Sequence, residues 1–141
     1  MNNNPKKIII VDDSDIEFDL ICWGLEQSGI TYPIVRAQTA EEGLEILGIN
    51  PADPHPPPAS DRPILILLDI SMPGMGGLGF LRVLNRMPEL LDIPVVIMSS
   101  SSNPADITMS YQLGASAYFK KPGNLQEYAD KMRDIMLVCF E

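Results

Sequence analysis

The residues best suited to do chemistry fall where apolar runs stop. Ile8-Ile9-Ile10-Val11 ends at Asp12-Asp13, and Ile64-Leu65-Ile66-Leu67-Leu68 ends at Asp69. Pro94-Val95-Val96-Ile97-Met98 ends at Ser99, and Ala117-Tyr118-Phe119 ends at Lys120-Lys121. Any one of these acids alone would pass for a helix cap or a solvated loop residue. Together at strand ends they form a reagent. Carboxylates gathered in one place repel each other unless a cation sits among them. An all-oxygen donor set favours a hard ion such as Mg2+, held by one or two carboxylates, waters and phosphate oxygens. That ion would neutralise an incoming phosphoryl group. The Ser99 hydroxyl and the ammonium of Lys120 or Lys121 would hold its other oxygens. Asp69 is then placed to attack phosphorus as a nucleophile and form an acyl phosphate.

The elements that must position these groups can be read from patterning. Continuous apolar runs suit strands buried on both faces of a parallel sheet. Ser14-Asp15-Ile16-Glu17 has the form of a capping box, which opens a helix with Ile16, Leu20 and Trp23 on its apolar side and an end at Gly29. A short strand is predicted over 34–37. Thr39 to Glu42 is a second capping box, opening a helix through Leu47. A loop from Ser71 leads into a helix to about Arg86. Asn103-Pro104 starts another helix with a side-chain cap and a proline at the first helical position, and Gly114 closes it. The last strand covers 117–120. The final helix runs from about Asn124, with Leu125, Tyr128, Ala129, Met132, Ile135, Met136 and Cys139 spaced by three and four. Strands alternating with helices predict an α/β fold: an open parallel sheet covered on both faces. Functional crevices in such sheets lie beyond the carboxyl ends of the strands, where the reactive set falls.

The segment 48–63 interrupts this alternation. It holds six of the 13 prolines, so it can be neither helix nor central strand. It reads as an extended proline-rich surface loop, an insertion. His55 within it lacks ligand partners. Residues 1–141 read as a single domain, with 1–6 a flexible N-terminus.

Composition narrows the function. Net charge is −9, from 19 acidic and 10 basic residues, and the longest basic runs are pairs, so no nucleic-acid footprint is present. No apolar run is long enough to span a bilayer, and the N-terminus lacks a signal-type segment, so a cytoplasmic protein without membrane contact is expected. Cys22 and Cys139 match no metal spacing and read as buried free thiols.

Taken in order, Val11-Asp12-Asp13, Leu67-Leu68-Asp69, Met72-Pro73-Gly74-Met75, Pro94 to Ser99, and Gly114-Ala115 through Lys121-Pro122 carry a family resemblance. The chain resembles receiver domains of bacterial response regulators over nearly its whole length. The resemblance implies a flavodoxin-like five-stranded sheet in the order 2-1-3-4-5. It implies that Asp69 is the phosphoacceptor, that Asp12, Asp13 and Asp69 with the backbone carbonyl of Ser71 hold Mg2+, and that Asp13 is a direct ligand. It makes Ser99 the switch hydroxyl and Tyr118 the switch aromatic, and it selects Lys121, which precedes proline, over Lys120. It implies a cis Lys121–Pro122 bond. A sensor histidine kinase is the implied phosphodonor. The 48–63 insertion and Ser110 to Ala115 are similar to stand-alone regulators that pair with bacterial phytochromes. A homodimer through the last helix pair and strand is expected, with Tyr111, Tyr118 and Leu137-Val138-Cys139-Phe140 at the interface. No enzymatic turnover is expected beyond self-catalysed phosphoryl acceptance and loss. Three positions depart from the family pattern: Gly76 stands where Asp or Asn is frequent, Gly123 follows Pro122 in place of a bulky apolar residue, and the switch hydroxyl is Ser in place of Thr.

Three other readings compete. An FMN-binding flavodoxin-like protein shares the architecture, but Asp12-Asp13 would repel the FMN phosphate. An aspartyl-phosphate hydrolase generally carries a second acid two residues after the nucleophile, where this chain has Ser71. A degenerate receiver that only binds proteins would not need the complete set of Asp12, Asp13, Asp69, Ser99 and Lys121.

Overall fold

The computed structural model describes residues 6–72 and 74–139. Residues 1–5, Pro73 and Phe140, which enter the sequence reading, lie outside the described residues. Strands β1 (Ile8–Val11), β2 (Ile34–Ala37), β3 (Leu65–Leu68), β4 (Val95–Ser99) and β5 (Ala117–Lys120) alternate with helices α1 (Asp15–Gln27), α2 (Ala40–Leu47), α3 (Gly76–Asn85), α4 (Pro104–Gln112) and α5 (Leu125–Cys139). All strand pairs are parallel, in the order β2-β1-β3-β4-β5. The predicted α/β architecture and strand order are both present.

Alternation along each strand divides the core in two. Ile9, Val11, Ile66, Leu68 and Ile97 point to one face and pack with Leu44 of α2 and Phe80 of α3. Ile8, Ile10, Leu65, Leu67, Val96 and Met98 point to the other and pack with α1 and α5 through Ile21, Leu25, Tyr128, Met132 and Ile135. The interior strands β1, β3 and β4 are buried on both faces, which is why their sequences show no polar alternation.

The predicted caps form. Ser14 Oγ accepts from the Glu17 amide at 3.2 Å, Thr39 Oγ1 from Glu42 at 3.0 Å, and Asn103 Oδ1 from Ala105 at 3.0 Å. Gly114, at φ 100°, turns the chain out of α4.

Five expectations need correction. Ile16 does not face the core: it is 72% exposed, and α1 buries Ile21, Gly24 and Leu25. The cause is non-local. A Cβ on Gly24 would stand 2.9 Å from the Tyr128 carbonyl oxygen and 2.8 Å from Met132 Cγ, so α5 packs directly on that glycine and helps set the rotation of the helix. Leu125, placed on the apolar side of α5, is also exposed: it opens the helix, and the buried positions begin at Tyr128. The Lys121–Pro122 bond is trans, as are all bonds among the described residues; a proline amide accepts either isomer at small cost. The 48–63 segment is more than an extended loop. It contains a 3-10 turn at Ala59–Asp61, and Ile49, Pro57 and Pro63 are buried. Cys22 and Cys139 are free, as expected, but half-buried where full burial was expected.

Candidate functional site

The carboxyl ends of β1, β3, β4 and β5 deliver the site. One carboxylate oxygen from each of Asp12, Asp13 and Asp69 can be chosen so that all lie within 4.8 Å of one another. Asp12 and Asp69 are buried, and Asp13 is exposed at the rim. Each of the two buried acids is held by an amide two residues on: Ser14 N donates to Asp12 Oδ1 and Ser71 N to Asp69 Oδ1, both at 2.9 Å. These contacts leave one oxygen of each acid facing Lys121, whose Nζ lies 3.3 Å from Asp69 Oδ2 and 3.7 Å from Asp12 Oδ2. Lys120 is exposed.

Lys121 reaches the acids because its own amide donates to the Ser99 carbonyl at 2.8 Å, which ties the end of β5 to the end of β4. Ser99 is fully buried, and its Oγ lies 3.4 Å from Ser71 Oγ and accepts from Ser101 N at 3.1 Å. Gly77 is needed behind the site. A Cβ there would stand 2.4 Å from the Asp69 carbonyl oxygen, so any side chain would displace the backbone that carries Asp69.

Charge at the site follows from burial and crowding. Burial pushes the Asp12 carboxyl above its usual range; the Ser14 amide and Lys121 oppose that rise, while Asp69 and Glu17 add to it. Burial alone would lower the Lys121 ammonium, but Asp12, Asp69 and Glu17 outweigh it and hold that pKa above its ordinary value. Three carboxylates around one lysine are under-neutralised. Hard oxygen donors at this spacing suit a divalent cation.

The structure thus gathers Asp12, Asp13, Asp69, Ser71, Ser99 and Lys121 at one edge. Tyr118 stands apart from the acids; its hydroxyl donates at 2.9 Å to the carbonyl of Ser101, whose amide donates to Ser99 Oγ. Its own amide donates to the Tyr111 hydroxyl at 3.1 Å. Sequence reading missed Ser101, whose Oγ donates to Asp106 at 2.8 Å, because the run from Ser99 to Ser102 does not distinguish its members. It also missed Glu17, which accepts from the Tyr128 hydroxyl across 111 positions of chain. Glu17 looked like half of a capping box and nothing more. Burial and this bond push the Tyr128 hydroxyl well above its ordinary pKa.

A model of the response regulator receiver domain matches residues 8–133. The chain belongs to this family. The receiver is 31% identical to response regulator Rcp1 of Synechocystis sp. over 126 residues, covering 89% of this chain and 83% of that protein. It spans only 55% of the two-component response regulator ORR4 of Oryza sativa subsp. indica, another relative. Among solved structures, the phosphorylated cyanobacterial phytochrome response regulator RcpA superposes with a TM-score of 0.81 at 31% identity, covering 98% of the receiver and 96% of that chain. The Mn(2+)-bound form of Rcp1 superposes with a TM-score of 0.77 at 29% identity, covering 94% and 92%. The acidic cluster of the receiver fits a phosphorylation site and a divalent metal. No helix among the described residues is long and apolar enough to cross a membrane.

Proposed function

We propose that the receiver takes a phosphoryl group from a histidine kinase onto Asp69 in a Mg2+-dependent reaction. The observation that carries this reading is the position of Asp69: buried, one oxygen held by an amide, the other 3.3 Å from Lys121 and beside two further acids. The free carboxylate oxygen attacks phosphorus, the phosphorus–nitrogen bond of a phosphohistidine breaks, and the imidazole leaves with the bonding pair. Lys121 and the Ser99 hydroxyl are the donors for the phosphoryl oxygens. Asp12, Asp13, Asp69 and the Ser71 carbonyl are the residues to hold Mg2+, which when bound neutralises charge on the phosphoryl group. The chain acts on itself and turns over no separate substrate. Similarity to the cyanobacterial phytochrome response regulator RcpA supports a phytochrome-type kinase as the donor.

Output runs through α4, β5 and α5. A phosphoryl group adds acceptor oxygens and negative charge. Drawing Ser99 toward it withdraws the Oγ that accepts from Ser101, and Ser101 also anchors Tyr118. Release of Tyr118 inward then alters a face on which Tyr111, Leu137 and Val138 are exposed, and a homodimer forms through it.

The test is intact mass after incubation with Mg2+ and acetyl phosphate. The wild type gains a single phosphoryl adduct and Asp69→Asn gains none, because an amide is a poor nucleophile. Equal labelling of both proteins refutes the assignment. Sedimentation across a concentration series checks the dimer, which fails if the protein is monomeric in both states.

A further inference from the structure

Arg36 of β2 pairs with Ile10 across the sheet, and its side chain reaches the turn that follows β1. Its Nε and Nη2 both donate to the Asp12 carbonyl oxygen, each at 3.3 Å. Its Nη1 donates to Asp15 Oδ1 at 2.7 Å, and its guanidinium carbon stands 4.9 Å from the centroid of the Phe18 ring. The Arg36 side chain is 18% exposed, against 83% for Asp15. The guanidinium is therefore fixed by a carbonyl, a carboxylate and a ring. A planar fork can do all three at once, whereas the point-like ammonium of lysine cannot.

What the fork holds gives it a role. The Asp12 amide donates to Ala37 O at 3.0 Å, Oδ1 accepts from Ser14, and Oδ2 faces Lys121. Its carbonyl oxygen is the remaining polar atom, and Arg36 fills it twice. That oxygen and the Asp13 nitrogen belong to one planar peptide unit, so fixing the oxygen fixes the plane from which Asp13 departs. Asp13 is the exposed member of the acidic cluster, so its aim depends on its backbone.

We propose that Arg36 is a positioning residue for the metal-binding turn, clamping the Asp12 carbonyl so that Asp13 is preset for a divalent cation. The proposal rests on the Mg2+ reading of the site. A clamp on the main chain behind a ligand acts as a ligand's hydrogen-bond partner does, by reducing the freedom the ligand loses on binding.

The experiment is calorimetric titration of Mg2+ into wild type, Asp13→Ala, Arg36→Met and Arg36→Lys, well below the Tm of each. Asp13→Ala loses binding. Both Arg36 variants bind on the order of 10-fold more weakly, and at saturating Mg2+ both reach the wild-type rate of phosphorylation from acetyl phosphate. Arg36→Lys keeps the charge and much of the stem, so it serves even where Arg36→Met is poorly folded. Wild-type affinity in Arg36→Lys overturns the clamp, because charge without the fork then suffices. Wild-type affinity in Arg36→Met overturns it too, and if Asp13→Ala still fails to bind, the site reading survives. Undiminished binding in Asp13→Ala overturns the site reading and the clamp with it. A role confined to stability would lower Tm and leave the Mg2+ affinity unchanged, which also overturns the clamp.

Discussion

At the carboxyl end of the sheet, one oxygen from each of Asp12, Asp13 and Asp69 lies within 4.8 Å of the others, and Lys121 meets two of the three. At the amino end, charges meet backbone. Arg62 Nε donates to the Pro57 carbonyl at 3.0 Å and Nη1 to the Glu89 carbonyl at 3.2 Å, while Lys6 Nζ donates to the Ala59 carbonyl at 3.4 Å. The proline-rich segment supplies two of these three acceptors. One end of the same strands is left in electrostatic tension, and at the other each of these cations is met by neutral carbonyls. The tension is useful because a cation or a phosphoryl group can relieve it. The amino end is where the fold can be tied down without touching that chemistry.

The largest effect should come from Mg2+ itself. At 100 times its Kd, Mg2+ should raise wild-type unfolding free energy by about 2.7 kcal/mol. Asp13→Ala should show no such gain, and without metal it should be more stable than wild type because one repelling charge is gone. Urea unfolding with and without Mg2+ measures both, and a less stable metal-free Asp13→Ala breaks the contrast between the two ends. A smaller effect belongs to the amino end. Arg62→Ala should lower stability by roughly 1–2 kcal/mol through lost donors, with the Mg2+ increment unchanged. An altered increment would show that the two ends communicate.

The smallest effect is a pH dependence. The folded Asp12 carboxyl sits above its ordinary value of 3.8, so the folded chain binds that proton more tightly than the unfolded chain does. Its contribution to stability is fully present below pH 3.8 and is lost as pH rises through the folded pKa. Asp12→Asn should therefore stabilise the metal-free protein at neutral pH, with a gain that fades as pH falls toward 3.8. A gain that is the same at every pH would assign it to packing.

The order and type of elements were legible because the interior strands, IIIV, LILL and VVIMS, carry apolar runs, each stopped by a polar residue: Asp12, Asp69 and Ser99. The N-caps at Ser14 and Thr39 were legible for the same local reason, whereas the reciprocal arm expected of Glu17 is replaced: the Ser14 amide donates to Asp12 and Glu17 accepts from Tyr128. The rotation of α1 was not. Ile16, Leu20 and Trp23 form a plausible stripe, yet the face that is buried is chosen by α5, more than a hundred residues away. At the site, the residues at strand ends could be read from the places where apolar runs stop. Choosing Lys121 over its neighbour rested on the resemblance, and the fold brings its ammonium, not that of Lys120, to Asp69. The contacts of Arg36 and of the Glu17–Tyr128 pair left no trace in the sequence, because each joins segments distant in the chain; the one motif involved, the capping box at Glu17, pointed to a different partner.

The bond from the Tyr118 amide to the Tyr111 hydroxyl has a consequence for solubility. β5 is an edge strand, and unpaired N–H groups along such an edge invite another chain to add a strand. Tyr111 occupies one of those donors with a side chain of the same molecule. Any process that pulls Tyr111 away, whether a docking partner or a substitution, bares a site for strand-to-strand growth. Tyr111 thus guards the molecule against aggregation along its own sheet.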